Sequence, residues 1–476
     1  MRIAKTEQVV APMRGRFQKS GGGAGEDLCG SESLRWRGSG RRLAWELPWV
    51  GLECVNEARA AAEMYEEFMT SMIWAQRLQK RWWEHTAMAR WLIVLAFMCC
   101  WAVRPLAAQE PLSDVAEAEV HKVRPPEGAI APDVAVDAKG VIHMVYGSGE
   151  NAFFVRSQNN GMTWSTAVKV NDGAKVSTTM GERGPKIAIG QDGAIHVVWA
   201  DRWSAGVKVF LRHTRSRDGG KSFEPAKAVS TMPGVDGVTV AADAAGNVLA
   251  FWHVMVPVQR EIPEATWVYM ARSIDNGQTF AANERVKISN LRELACSMCM
   301  MRACIADDGN VYLALRGADK IIRDFWVLKG PVAKNQFVAL RVNNDNWELN
   351  TCPMCGPELA IGSDGRALCA FMSRHKVYWA ISDEKRAAFK LHVPTPSAEK
   401  DEIYPAAIAN KKGIVLMVWQ VGPMSVSGTA VVKWATYTPD GKPTGKAGIL
   451  GQSFSGTKAT VFVGTDDEFY VVTTAK

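Results

Sequence analysis

The chain has 476 residues, 47% hydrophobic and 22% charged, with a formal net charge of +7. That balance excludes a disordered, collagen-like or polytopic membrane protein. The length fits either roughly two to four average domains or one large domain built from repeats. Ten cysteines are too few for a disulfide-built miniprotein, but they are clustered.

Residues 1–87 mix Gly-rich and Arg/Trp-rich stretches and hold no repeat; Gly21-Gly22-Gly23 lies here and is no phosphate loop. Met88-Ala89-Arg90 then precedes a 13-residue apolar run at 91–103. The run is shorter than the roughly 20 residues that span a bilayer. Pro105-Leu106-Ala107-Ala108 follows, with small residues where signal peptidase cuts. A basic start, an apolar core and a small-residue cleavage site make a secretory signal. The expected organisation is a signal peptide at 88–108, cleaved near Ala108/Gln109, and a single exported domain at 109–476, periplasmic or extracellular. Residues 1–87 are then a gene-model extension, or else a cytoplasmic segment ahead of a signal anchor. The pair Cys99-Cys100 lacks the small residues that precede a lipidated cysteine. Residues 109–476 carry 41 basic and 38 acidic side chains, too even a balance for a nucleic-acid partner, and no membrane span.

From residue 132 onward one unit recurs: an apolar strand, a turn with Gly, and a second apolar strand. Its copies are 132–146, 185–199, 238–252, 301–315, 357–371, 405–419 and 459–473. The turn glycines are Gly140, Gly193, Gly246, Gly309, Gly365 and Gly413, spaced by 53, 53, 63, 56 and 48; Asp467 takes the place in the seventh copy. Alternating apolar residues around each turn predict hairpins with a buried face. A third strand follows in each unit, and usually a fourth. Four strands per ~50 residues is the blade of a β-propeller. The predicted fold is therefore all-β, a propeller of four-stranded blades, with seven blades by hairpin count and six as the alternative. The last unit has only two strands of its own. Ala118–Arg124 is expected to add its outer strand and close the ring, which removes a free sheet edge. A solenoid of hairpins fits less well, because no capping repeats are visible.

Between third and fourth strands, three units carry one motif: SQNNGMTW (157–164), SRDGGKSF (216–223) and SIDNGQTF (273–280). Its Asp or Asn accepts N–H groups across the turn, and its Gly takes positive φ. Here the sequence resembles the sialidase superfamily of Asp-box (BNR-repeat) propellers. The Asp-box is a structural turn, so it identifies a fold and not a reaction.

The resemblance implies three arginines on a substrate carboxylate, a Tyr nucleophile activated by a Glu, and an Asp acid/base. By repeat phase, Arg316 ends the second strand of the fourth unit and Arg374 follows that of the fifth. Tyr404 opens the sixth unit, where the family has its nucleophile. The first blade begins Ile130-Ala131-Pro132, without the family's first arginine; Arg183-Gly184-Pro185 has its spacing one blade later. Met300 stands where the Glu partner belongs, and Gly147-Ser148-Gly149-Glu150 offers no Asp; Asp201-Arg202 closes the second unit's equivalent strand. The candidates are thus Tyr404 for catalysis and Arg183, Arg202, Arg316 and Arg374 for substrate. The expected function is binding, with hydrolysis if Tyr404 acts as nucleophile, of a glycan or other anionic small ligand at the central channel mouth. The alternative is a non-catalytic scaffold for protein or metal with a cysteine-stabilised rim.

All six cysteines beyond residue 109 lie between 296 and 369. Cys296-Ser297-Met298-Cys299 and Cys352-Pro353-Met354-Cys355 each stand 13 to 10 residues before their turn glycine, on loops entering adjacent blades. Cys304 and Cys369 fall within strands of the same two blades. Export favours disulfides among the six. Four thiolates from the paired motifs suit zinc. With Met298, Met300, Met301 and Met354 nearby, the softer set suits Cu(I). Free thiols are the third option; otherwise no cofactor is expected. His143 and His196 share one phase and read as repeat positions, while Trp199, Trp252 and Trp419 end second strands and read as core.

Overall fold

The computed structural model describes residues 118–178, 182–204, 208–254, 265–291, 295–296, 298–319, 321–422, 429–454 and 458–474. The chain divides into two units, Met1–Gln109 and Glu110–Lys476. The first contains the expected signal segment and lies outside the described residues.

The second unit is a seven-bladed β-propeller. Six blades are four-stranded antiparallel sheets in chain order. Their inner strands are Ile130–Val136, Lys186–Ile189, Val235–Ala242, Arg302–Ile305, Glu358–Ile361 and Glu402–Ala409. The seventh sheet has two strands of its own, Thr460–Val463 and Phe469–Val472. Its third is Val120–Val123, which pairs in parallel with Phe469–Val472, Val120 opposite Phe469 and Val123 opposite Val472. The expected closing strand is therefore in place, and the count is seven. Among the described residues the one helical element is a single 3-10 turn, Gln191–Gly193.

The glycine turns set each hairpin. All six turn glycines have φ between 73° and 88°, and Asp467, their stand-in, has φ 66°. That region is costly for a residue with a Cβ, and Asp is among the few that tolerate it. The three repeated third-to-fourth-strand turns also share their wiring. In the second, Ser216 Oγ donates to Asp218 (2.8 Å) and accepts from Gly220 N–H (2.9 Å). Asp218 accepts the N–H groups of Lys221 (2.9 Å) and Ser222 (3.0 Å). These bonds, led by that from the Ser222 hydroxyl, hold the Asp218 carboxyl well below the usual carboxylate range.

The core lies between blades. Trp199 packs between blades 1 and 2, Trp252 between 2 and 3, and Trp379 and Trp419 between 5 and 6. All four are almost fully buried, as expected for Trp199, Trp252 and Trp419. Each buries roughly 200 Å², worth about 5 kcal/mol at 25 cal/mol per Å². The histidines of the shared phase pack as well: His143 bonds Asp137 at 3.0 Å, and His196 bonds His213 and Asn276.

Strand register sorts the two rims. Ile130, at the start of an inner strand, pairs with Gly147 near the end of the second strand. Ile142 pairs with Ser157 at the other end, beside the first repeated turn. The glycine turns and the repeated Ser/Asp turns therefore share one rim, the bottom. The loops that enter each blade, and those after each second strand, share the top.

Candidate functional site

All four candidate arginines, Tyr404 and the two C-x-M-C loops fall on the top rim. Local backbone explains how several of them are aimed. The inner strands of blades 1, 3 and 6 each shift register at their first residues, with positive φ at Ala131 (47°), Gly237 (61°) and Tyr404 (53°). Such bulges turn a side chain out of the pleat. At Tyr404 the bulge brings the backbone N–H to Cys355 Sγ, 3.3 Å away. Arg374 and His375, φ 49° and 62°, form the two-residue turn between Ser373 and Lys376.

The four arginines donate to different internal acceptors and do not form a shared clamp. Arg183 forks onto Asp236, its Nε 2.9 and 3.0 Å from the two oxygens, and its Nη2 reaches Met298 O at 3.1 Å. Arg316 is 1% exposed and donates to the carbonyls of Arg323 (2.9 Å), Cys355 (3.0 Å) and Met372 (3.0 Å). Its guanidinium lies 4.0 Å from the ring centre of Phe325 and 5.3 Å from that of Trp347. Arg202 is exposed and ion-paired with Glu150, which Lys175 also binds at 2.8 Å. Arg374 is exposed and donates to Asp345 O at 2.6 Å.

Tyr404 is 6% exposed. Burial, reinforced by the nearby Glu182 carboxylate and the Cys355 thiol, pushes its hydroxyl far above the ordinary tyrosine range. That is the reverse of what a nucleophilic phenolate needs. Glu182 is the acidic neighbour that the fourth unit lacks at Met300. It comes from blade 2, and both its oxygens accept Gly356 N–H of the blade 5 loop (3.0 and 2.8 Å). Burial raises its carboxyl.

The axis is crossed by the chain's own charges. Arg302 of blade 4 reaches Asp133 of blade 1 at 2.5 Å and Glu358 of blade 5 at 2.9 Å. Lys458, entering blade 7, reaches Glu358 at 3.0 Å. Burial works to raise the Glu358 carboxyl, yet Lys458 and Arg302 hold it down at about 2. Together with the Glu182–Gly356 bond, these pairs tie blades 1, 2, 4, 5 and 7 to one another around the axis. Sequence reasoning missed this network. Its one trace is a charged residue near the start of the inner strand, and all seven blades carry one, so it does not single out the members of the network.

The cysteines divide into two sets. Cys296, Cys299 and Cys352 have their sulfurs within 4.8 Å of one another and are buried. Cys299 Sγ is 3.7 Å from Cys296 Sγ and 3.3 Å from Cys352 Sγ. Cys355, the fourth member of the paired motifs, is turned toward Tyr404. Cys304 points at Leu359 O (3.3 Å), and Cys369 is fully buried in the interface of blades 4 and 5. None of the six is bonded to another as a disulfide in this structure. Burial alone raises the Cys299 thiol, but hydrogen bonds from Cys296 and Cys352 and the Arg316 charge take it well below the ordinary range.

On the same rim stands Trp203, 64% exposed, which the strand pattern did not single out. It follows Arg202 in the loop after the second strand of blade 2. Arg202 N–H bonds Lys175 O at 2.7 Å, so the platform rests on the chain entering that blade.

No protein-family model and no curated protein sequence matches the chain. Among solved structures, it is similar to a Penicillium chrysogenum alpha-L-arabinanase complexed with arabinobiose, at 11% identity and TM-score 0.44, over 66% of this chain and 95% of that one. It is similar to an ulvan lyase of polysaccharide lyase family PL25, at 11% identity and TM-score 0.44, over 70% and 87%. It is also similar to the Hadza microbial sialidase Hz136, at 14% identity and TM-score 0.42, over 71% and 74%. The likeness is one of architecture at low identity, and the seven-bladed fold itself stands on the strand pairing.

Proposed function

We propose that this chain is an exported, non-hydrolytic propeller that binds a glycan or other anionic ligand on its top rim, beside the axis. The carrying observation is Trp203, 64% exposed next to the Arg202–Glu150–Lys175 charge group. An indole face open to water packs against the C–H face of a sugar ring. Charged planar groups alongside bond its hydroxyls or carboxylate. Hydrolysis by a tyrosine route is not part of the reading, because Tyr404 is buried with its proton held tightly and the arginines are engaged internally. Asp-box turns and a signal peptide at 88–108 fit the same reading of a secreted, sialidase-like propeller.

A glycan array probed with wild type and Trp203→Ala tests it. Loss of an exposed aromatic anchor is expected to weaken binding by about 2 kcal/mol, roughly thirtyfold, without lowering the melting temperature. Equal binding by the variant, or no glycan retained by wild type, would sink the proposal. Turnover of a fluorogenic sialoside that Tyr404→Phe abolishes would restore the hydrolase reading in its place.

A further inference from the structure

Two loops, each joining one blade to the next, bring three sulfurs together where the chain could have kept them apart. Cys296, Cys299 and Cys352 are 1%, 1% and 6% exposed. The neighbouring contacts of 3.7 and 3.3 Å are far longer than a disulfide's roughly 2.05 Å. They lie near, and somewhat below, the about 4 Å that separates two sulfurs of three bound in a plane to one ion at about 2.3 Å each. Cys299 sits between the other two, so a disulfide between any pair leaves an odd buried thiol.

The loops are braced before any ion arrives. Arg183 holds Met298 O, and His253 Nε2 lies 2.9 Å from Cys299 O. Ala265–Thr266 pairs with Ala295–Cys296 as a short ladder. Met354, at φ 45°, directs its N–H to Cys352 Sγ at 3.3 Å, the arrangement that supports a thiolate. The side chains of Met298 and Met354 pack on the three cysteines.

A second, independent observation concerns Arg316. It is fully buried, its three charge-assisted bonds all go to neutral carbonyls, and its Nε has no partner. Among the described residues no carboxylate lies within ion-pair distance of it. A buried cation needs a counter-charge. One of its three bonds is to Cys355 O, on the loop that carries Cys352.

We propose that Cys296, Cys299 and Cys352 form a three-sulfur site for Cu(I), with Arg316 balancing the excess negative charge of the thiolates. A structural zinc site almost always has four protein ligands, and the fourth sulfur here, Cys355, is turned to Tyr404 N–H. Three thiolates flanked by thioethers form a soft donor set, which selects Cu(I). The site is independent of the Trp203 reading and lies on different loops.

The test uses the full chain, purified anaerobically and titrated with Cu(I) as its acetonitrile complex against bicinchoninate. X-ray absorption at the copper edge is measured on the loaded wild type. The expected result is one Cu(I) per chain, withdrawn from the chelator, with a sulfur-only coordination shell. Cys352→Ser is expected to weaken binding at least a hundredfold, while Cys304→Ala leaves it unchanged. The absorption measurement needs no variant, so it stands even where a substitution impairs folding. Four results would each overturn the proposal: no copper retained against the chelator, a shell containing nitrogen or oxygen, binding that survives Cys352→Ser, or one tightly held zinc with Cys355 as fourth ligand. A disulfide within the trio in the protein as isolated would do so too.

Discussion

The Arg183–Asp236 fork offers the sharpest test of how the top rim is held. Its side chains are 13% and 6% exposed, so both charges are largely out of water. Asp236 also accepts Gly237 N–H at 2.9 Å, which fixes the bulge that opens blade 3. Replacing Asp236 with Leu leaves the guanidinium buried without its carboxylate, and replacing Arg183 with Met leaves the carboxylate. Each is expected to cost about 3–5 kcal/mol, because one unpaired charge retains its full desolvation penalty. The double variant removes both charges and is expected to fall within about 2 kcal/mol of wild type, a coupling of at least about 4 kcal/mol. Urea unfolding followed by tryptophan fluorescence measures the cycle. A second readout follows from the bond to Met298 O: either single change should speed the reaction of Cys296 and Cys299 with a thiol reagent. The reasoning is refuted if each single change costs under 1 kcal/mol, or if the double variant is as unstable as the two singles added.

Acidification should destabilise the propeller in two steps. Burial lowers His143, His196, His213 and His253, with His196 down to about 4. The unfolded chain takes up these protons first, so the stability is fully present above about pH 6.5 and is lost as pH falls toward 4. His196 alone accounts for on the order of 3 kcal/mol. Glu358, at about 2, adds a later loss between about pH 4.5 and 2; an unfolding free energy that stays flat from pH 7 to 4.5 would contradict the first step. Gly220→Ala should cost about 2–3 kcal/mol, since φ is 82° and a new Cβ would run into the Phe154 ring. Thermal denaturation checks it, with Gly149→Ala as a comparison where the φ is also positive but no atom stands within 4 Å.

Much of the fold was legible because its signals are local. A glycine turn between two alternating strands specifies a hairpin without reference to the rest of the chain, and seven such hairpins specify seven blades. Even the closing strand at Ala118–Arg124 could be read, because blade 7 lacked one. The site was not legible in the same way. Arg302 meets Asp133 only because ring closure sets blade 4 opposite blade 1, and Glu182 reaches Gly356 for the same reason. Repeat phase placed Arg316 and Arg374 on the correct rim but could not show that one would turn inward onto carbonyls. It also gave Cys352 and Cys355 equal standing, although the Tyr404 bulge draws the second away from the sulfur cluster. Trp203 escaped because it lies in a loop, outside both the period and the motif.

The parallel seam strand has a consequence for the order of events in time. Every other strand pairs with neighbours close in sequence, so blades 1 to 6 can each form as soon as their own residues are available. The contact between Glu119 and Glu468 joins positions 349 apart. A loop that long closes slowly, so the ring should wait, nearly assembled, for its last pairing. During that wait Phe469–Val472 presents an open apolar edge, the point at which two half-finished rings would pair with each other. The same four residues that complete the sheet thus also set the moment after which the molecule is safe from its own copies.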